Sequence, residues 1–446
     1  MMKLNKSLFL LALMATVVFS CKKNDDVPGP KITSTGTKDT IAFGSSITYR
    51  PQFSNKNGLS FQWTTNGAPV STDSVLQFGS NAHGDFHIVL TAKNQTGIDS
   101  IVYNLHVNGK YENGFLMVQE GQYGVTNGDL AYYSYDSNKV IQNIYKTENP
   151  DKNLGPNTST LQFASIFNGK VYMVAKVGGP LVVTDAYTMK ETGRITALPQ
   201  DEGHAFVGVD NARGLLSAVD GIYPVNLSTL TLGAKLAGIT SAAGDMLLVD
   251  KYIFALTQAD GVVVLNTTDY SIVKKFPNAT MGFTRTKDGA VWAAGDSSLM
   301  RIDPVALTLT SMKLPFKVTN PWALWSWKSG SLTTSSNGND VYIAARNETG
   351  GIGGTIEYGG TKLYRYVAGD ANSLSAPFIT LPAGQYFYGS AVRFNERKNE
   401  LLIITLPDEW GSSNDNRWLS YNATTGALNS TVRYTGYLFP SLPVFY

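Results

Sequence analysis

One pattern recurs seven times in this 446-residue chain, from about residue 130 to the end, and it limits the possible folds more than any other feature. A short apolar or aromatic run ends at an Asp or Asn. A few turn-forming residues follow, and then a second run rich in Thr, Val and Leu. YSYDSNKVIQNI carries it at Asp136, VVTDAYTMKETGRI at Asp185 and MRIDPVALTLTSMKL at Asp303. Asn226, Asn266, Asp370 and Asn422 hold the same place in their own segments, at spacings of 37 to 67 residues. A period near 40 residues, with several short strands per unit, is the signature of a β-propeller.

The units can be laid out from this ruler. Blades are expected near 160–198, 203–236, 237–276, 281–314, 319–381 and 384–435. The first unit, Gly114 to Tyr145, lacks an innermost strand, and the final segment YLFPSLPVFY has no outer strands after it. The two complete one another, which closes the ring and removes the open edges of a linear array. The count is then seven. Six and eight are the alternatives, because the long sixth unit has room for another hairpin. The repeated Asp and Asn residues are expected to form turns by accepting from their own backbone, rather than to do chemistry.

Residues 31–108 have a different rhythm. Alternating runs such as Ser46 to Phe53, Leu59 to Asn66, Asp85 to Asn94 and Asp99 to Val107 are separated by turn clusters. They predict a small antiparallel β-sandwich with Trp63 at its centre. The pattern resembles the PKD-like, immunoglobulin-like modules of surface proteins. The fold class is therefore all-β, a seven-bladed propeller over 112–446 preceded by a sandwich.

Residues 1–20 read as a secretory signal. Lys3 and Lys6 form the basic start, and Leu8 to Phe19 an apolar core too short to span a bilayer. Cys21, the only cysteine, follows at once and resembles the acylated residue of a bacterial lipoprotein; an incidental cysteine after an ordinary signal is the other reading. Residues 21–30 then form a polar tether. Asp25 and Asp26 resemble the tag that sends Bacteroidetes lipoproteins to the outer leaflet, and a plain solvated linker is the alternative. Without the signal the chain has 34 basic and 34 acidic residues, a balance that argues against nucleic-acid binding.

Catalytic signatures are missing. There is neither a G-x-S-x-G elbow nor an H-E-x-x-H pair, and His204 is the only histidine in the propeller. The polar segment Asp408 to Trp418 lacks calcium-loop spacing. No catalytic residue, metal ligand or cofactor is expected. What stands out is aromatic and amide chemistry in the loops that lead into the innermost strands. Asn320 to Ser331 holds Trp322, Trp325 and Trp327, and Gly384 to Ala391 holds Tyr386 and Tyr388. Phe206 and Phe283 hold similar places, as do the polar Gln122, Gln162 and His204. Wedging between blades explains any one of these aromatics. As a set they suggest a recognition surface for a broad ligand with flat apolar faces and a hydrogen-bonding rim.

Three stretches carry a closer likeness: FLMVQEGQYGVTNGDLAYYSYDSNKVIQNIY, TLQFASIFNGKVYMVAKVGGPLVVTDAYTMKETGRI and the closing GYLFPSLPVF. They resemble the surface-layer, YVTN-type propellers of Bacteroidetes, and among these the BtuG-type lipoproteins. The resemblance implies a lipid-anchored protein of the outer membrane, exposed at the cell surface. It implies that cobalamin or a related corrinoid is bound as ligand and passed to a TonB-dependent transporter. The ligand residues Trp322, Trp325, Tyr386, Tyr388, Phe206, Phe283, Gln122, Gln162 and His204 are chosen from position and chemistry, because no family motif transfers contacts singly. Adhesion to a glycan or another protein is the alternative function. The extra sandwich departs from the plain propeller plan.

Overall fold

The computed structural model describes residues 28–156, 160–323, 326–347, 359–407, 414–436 and 438–446. Two compact units divide between Val107 and Asn108. Nearly all regular structure is strand, and no helix among the described residues is long and apolar enough to cross a membrane.

The first unit is a β-sandwich. One sheet runs in the order Lys38–Ile41, Ile98–Val107, Gly84–Lys93, Ser60–Thr65 and Ala68–Ser71. Trp63 is fully buried with Ile88, Leu90, Tyr103 and Leu105, and its indole N–H donates to the Asp73 carbonyl at 2.8 Å. Two details depart from expectation. The Ser46 to Phe53 run is two strands, Ser46–Tyr49 and Gln52–Ser54, paired with different partners. The break falls at Pro51, which has no N–H to continue a ladder. The pair Lys38–Ile41 with Ile98–Val107 is parallel, so the larger sheet is mixed.

The second unit is a β-propeller. Its described residues form seven four-stranded antiparallel sheets. The innermost strands, in ring order, are Pro440–Phe445, Thr160–Phe167, Gly203–Gly208, Ala243–Val249, Gly282–Arg285, Leu332–Thr334 and Gln385–Asn395. Blades 1 to 7 are numbered in this order. As the sequence predicts, the C-terminal strand supplies the missing inner strand of blade 1, pairing with Gly114–Gln119.

The inner blade strands read as unbroken apolar runs because both of their faces are buried. In Lys170–Lys176, Val171 and Met173 enter the core shared with blade 1, while Tyr172 and Val174 enter the core shared with blade 3. The same alternation splits Val291 and Ala293 from Trp292 and Ala294, and Leu401 and Ile403 from Leu402 and Ile404. Seven such cores join each sheet to the next and close the ring. Outermost strands such as Thr308–Lys313 are mostly exposed, and their Thr, Ser and Lys residues blunt the outer edge.

The repeated Asp and Asn residues are turn formers. The side-chain Oδ1 of Asp185, Asn226, Asp303 and Asn422 each accepts two successive backbone N–H groups just after the third strand. Four residues on from these, Met189, Leu230, Leu307 and Gly426 adopt positive φ, which turns the chain into the outer strand. Asp136 is the exception, since its carboxylate accepts from Asn113 Nδ2 at 2.7 Å. The long sixth unit does contain an extra hairpin, Trp322–Ala323 with Ser326–Trp327, but it has only two strands and forms no blade.

Blades 1 and 2 are also tied at their outer ends. Glu191 accepts from Tyr145 Oη at 2.5 Å and from Arg194 Nη2 at 2.6 Å, and Lys152 lies at 3.2 Å. Burial pushes this carboxyl up, but the three donors outweigh it and hold it at about 2, against an ordinary 4.5. A carboxyl depressed in the folded state stabilises the fold above its unfolded pKa and loses that contribution as pH falls towards the folded one. Glu191→Gln should therefore cost roughly 1–3 kcal/mol at pH 7. In urea titrations the gap to wild type should narrow between pH 4.5 and 2. Deleting Pro440–Tyr446 should abolish the cooperative melting transition of the propeller, because blade 1 is left without its inner strand.

Candidate functional site

At one end of the propeller the innermost strands begin and the second strands of the same blades end. A cavity of about 750 Å³ opens there to solvent. Blade 2 contributes Thr160 and Gln162 from its inner strand and Lys176 from the end of its second strand. Blade 3 contributes Glu202 and His204. Tyr388 comes from blade 7, Phe439 and Glu120 from the closure of blade 1, and Trp322 and Trp327 from the short hairpin.

Several side chains reach the channel through β-bulges. Register shifts interrupt the inner-strand pairing between Leu161 and Phe163, Gly203 and Phe206, Ala243 and Met246, and Phe387 and Val392. A bulge adds a residue to one strand and re-aims its side chain. Here the re-aimed residues include Gln162, His204, Asp245 and Tyr388.

Two charged clusters frame the cavity. Lys328 Nζ lies 2.8 Å from Glu120 Oε1, and Tyr388 Oη donates to Glu120 Oε2 at 2.8 Å. The ammonium also sits 3.7 Å from the Tyr388 ring centroid, a cation–π contact. All three residues are buried, and burial lowers the Lys328 pKa, opposed by Glu120. In the second cluster His204 Nδ1 lies 2.7 Å from the Ala243 carbonyl and therefore carries the proton donated there. Its Nε2 is 3.5 Å from Glu202, and its ring stacks on Trp327 at 5.1 Å and 16°. The neighbouring imidazole holds the Glu202 carboxyl below the usual carboxylate range. Lys176 is also lowered by burial, while Glu202 and Glu120 oppose that shift.

Between the clusters lie polar groups with no protein partner among the described residues. Gln162 is 4% exposed, yet its amide makes no hydrogen bond to the protein. The side-chain amides of the half-buried Gln122 and the exposed Gln258, and the hydroxyl of the buried Thr160, also make no hydrogen bond among the described residues. These groups are open to a ligand or to water, while the buried His204 Nε2 and Trp327 indole nitrogen beside them have no hydrogen-bond partner among the described residues. The aromatic surfaces are Trp322, Trp327, Phe439 and Tyr388, with Tyr123 at the rim, 64% exposed. Trp322 is fixed by its indole N–H, which donates to the Thr280 carbonyl at 2.8 Å.

Of the residues expected from the sequence, Trp322, Tyr388, Gln122, Gln162 and His204 meet in this cavity. Phe206 does not reach it. Beyond the His204 bulge it turns into the core between blades 2 and 3, where it stacks on Tyr172 at 4.0 Å and 10°. Tyr386 packs against the core between blades 7 and 1. Phe283 lines a different part of the channel. Trp325 and Cys21 lie outside the described residues. Glu120, Lys176, Glu202 and Lys328 were not anticipated. For Glu120 and Lys176 the sequence signal is a charge at the end of an otherwise apolar run, FLMVQE and VYMVAK. Among the described residues no three His, Cys, Asp or Glu side chains gather as a metal-binding set.

Residues 113–446 match a family described as a domain of unknown function, DUF5074. The chain belongs to the DUF5074 family. Residues 30–94 match the PKD-like domain. No curated protein matches the sequence. Among solved structures, the chain is similar to a quinonprotein alcohol dehydrogenase-like protein from Bacteroides thetaiotaomicron. The identity is 18% and the TM-score 0.60, over 94% of this chain and 99% of that one. A β-propeller domain of Cps50 (Swd1) from Myceliophteria thermophila is 12% identical, with a TM-score of 0.43 over 61% of this chain and 85% of its own. At such identities the likeness concerns fold alone.

The Lys328–Glu120 pair is a buried ion pair in the cavity wall. Removing one partner leaves a buried charge uncompensated, so Lys328→Met should destabilise the protein by about 3–5 kcal/mol. Adding Glu120→Gln to that variant should restore a substantial part, as read by chemical denaturation.

Proposed function

We propose that this DUF5074 protein is a surface lipoprotein that binds cobalamin or a related corrinoid in the upper cavity and passes it to a TonB-dependent outer-membrane transporter. The observation that carries this reading is the set of partnerless amides, Gln122, Gln162 and Gln258, set among Trp322, Trp327 and Tyr123. A corrin has two broad apolar faces and a rim of amide side chains. Aromatic walls suit its faces, and protein amides suit its rim, since an amide both donates and accepts. A cavity of about 750 Å³ that opens to solvent would seat part of such a ligand and leave the rest accessible for handover. Acylation at Cys21 would tether the protein to the membrane, and the segment after it would give the propeller reach.

The test is direct. The chain from residue 22 onward, mixed with cyanocobalamin at micromolar concentration, should carry the red chromophore through gel filtration. Gln162→Leu and Trp322→Ala should each weaken binding by about 10–100-fold, the equivalent of ~1.5–3 kcal/mol. Protein that emerges colourless rules the reading out. A hit on a glycan array by that same colourless protein would move the function to adhesion.

A further inference from the structure

The channel continues beneath the upper cavity. Trp327 lines the upper cavity, and the chain that follows it, Ser329 and Gly330, lines a second cavity of about 360 Å³. The inner strands run past both levels. Gln162 faces the upper space and Phe163 to Ile166 the lower one, and the same change occurs from Ala242 to Asp245.

The partition between the levels is fixed by two charged residues. Asp245 Oδ1 accepts from Ser329 Oγ and Asp245 Oδ2 from the Gly330 N–H, both at 2.6 Å. Arg393 Nη1 donates to the carbonyls of Gly330 and Val392, both at 2.8 Å, and more weakly to Ser390. Its Nη2 donates to Ser329 Oγ at 2.6 Å.

This leaves the guanidinium only partly satisfied. Arginine stays protonated in proteins and has five N–H donors. Among the described residues Arg393 has no carboxylate within ion-pairing distance, and its Nε–H and the second Nη2 hydrogen have no acceptor. Asp245 is the opposite charge that acts on it, but both Asp245 oxygens are already occupied and burial raises its pKa. A second guanidinium, the exposed Arg285, also lines this cavity; its Nε donates to the Gly289 carbonyl at 3.4 Å and it lies 3.8 Å from Asp250. The rest of the wall mixes the hydroxyls of Ser165, Thr284 and Thr333 with an apolar part, chiefly Phe163, Phe283, Phe445 and Leu332. A guanidinium with unused N–H donors and no direct ion pair, beside phenyl walls, suits an anion that brings its own apolar body.

We propose that the lower cavity is a second ligand site, one that takes a small organic monocarboxylate. The carboxylate rests on Arg393, and an aromatic or branched apolar body packs among Phe163, Phe283 and Phe445. This site is independent of the corrinoid reading of the upper cavity, and failure of either leaves the other standing.

4-Fluorobenzoate is a suitable probe, followed by ¹⁹F NMR on the whole mature chain. Saturable binding is expected, and neutral 4-fluorobenzyl alcohol should bind at least about tenfold more weakly. Arg393→Gln should reduce benzoate binding about tenfold or more. Because Arg393 also holds Ser329, a second variant is needed that leaves the partition intact. Thr284→Trp fills the cavity from its wall, where Thr284 makes no side-chain hydrogen bond among the described residues. It should abolish binding while the melting transition stays cooperative. The proposal is overturned if the wild type shows no saturable binding, if the alcohol binds as well as the acid, or if binding survives Thr284→Trp.

Discussion

Ring closure is the interaction on which the rest of the propeller depends. Pairing of Pro440–Phe445 with Gly114–Gln119 joins residues more than 300 positions apart and completes two inter-blade cores at once. It also builds part of the site. The Glu120 N–H donates to the Phe439 carbonyl and the Gly121 N–H to the Leu438 carbonyl, each at 3.0 Å. Glu120 and Phe439 therefore enter the cavity as a direct result of closure. Lys328 and Tyr388 then find their carboxylate partner in place. Ring stability and the shape of the cavity share one set of contacts here, so damage to the closure should be felt in both.

The ring was legible in the sequence for a simple reason. Asp and Asn at the end of the third strand are required by local turn geometry, and local geometry leaves a local signal. Asp185 and Asp303 show it most clearly, since each gathers two backbone N–H groups within three residues. The pairing of first and last segments was legible because each was visibly incomplete. The sandwich core was legible from Trp63, a lone large aromatic in the middle of an alternating strand. The break at Pro51 was there to be read, but the alternation on either side concealed it.

The site was only half legible, and the bulges explain why. Strand reading counts residues in twos, and one inserted residue sends every later side chain to the opposite face. At His204 the bulge directs the imidazole into the channel and sends Phe206 into the interface with blade 2. The same disturbance in Gln385–Asn395 sends Tyr388 to the cavity and leaves Tyr386 against the neighbouring core. The charged residues escaped for another reason. Lys176 and Glu120 look like solvated strand ends in one dimension. Only the ring shows that these ends converge on a common axis, where both side chains are buried.

That convergence also accounts for the partition between the two cavities. A wide channel lined only by strands would be filled by water, with no floor on which a ligand could settle. The hairpin of blade 6 interrupts it. Trp327 stacks on His204 above, while Ser329 and Gly330 are held by Asp245 and Arg393 from the side and below. Gly244 allows this approach, because a Cβ there would lie 2.3 Å from the Trp327 indole nitrogen. Gly330 is similarly confined, since its Cβ would meet the Gly282 backbone at 2.8 Å. The floor of the upper cavity is therefore the roof of the lower one. Its position is set by backbone packing and four charge-assisted hydrogen bonds, not by a mobile loop. Any ligand that draws Arg393 away from Ser329 acts on the surface against which Trp327 rests. The two cavities share this partition, so a displacement at one reaches the other to the extent that these hydrogen bonds yield.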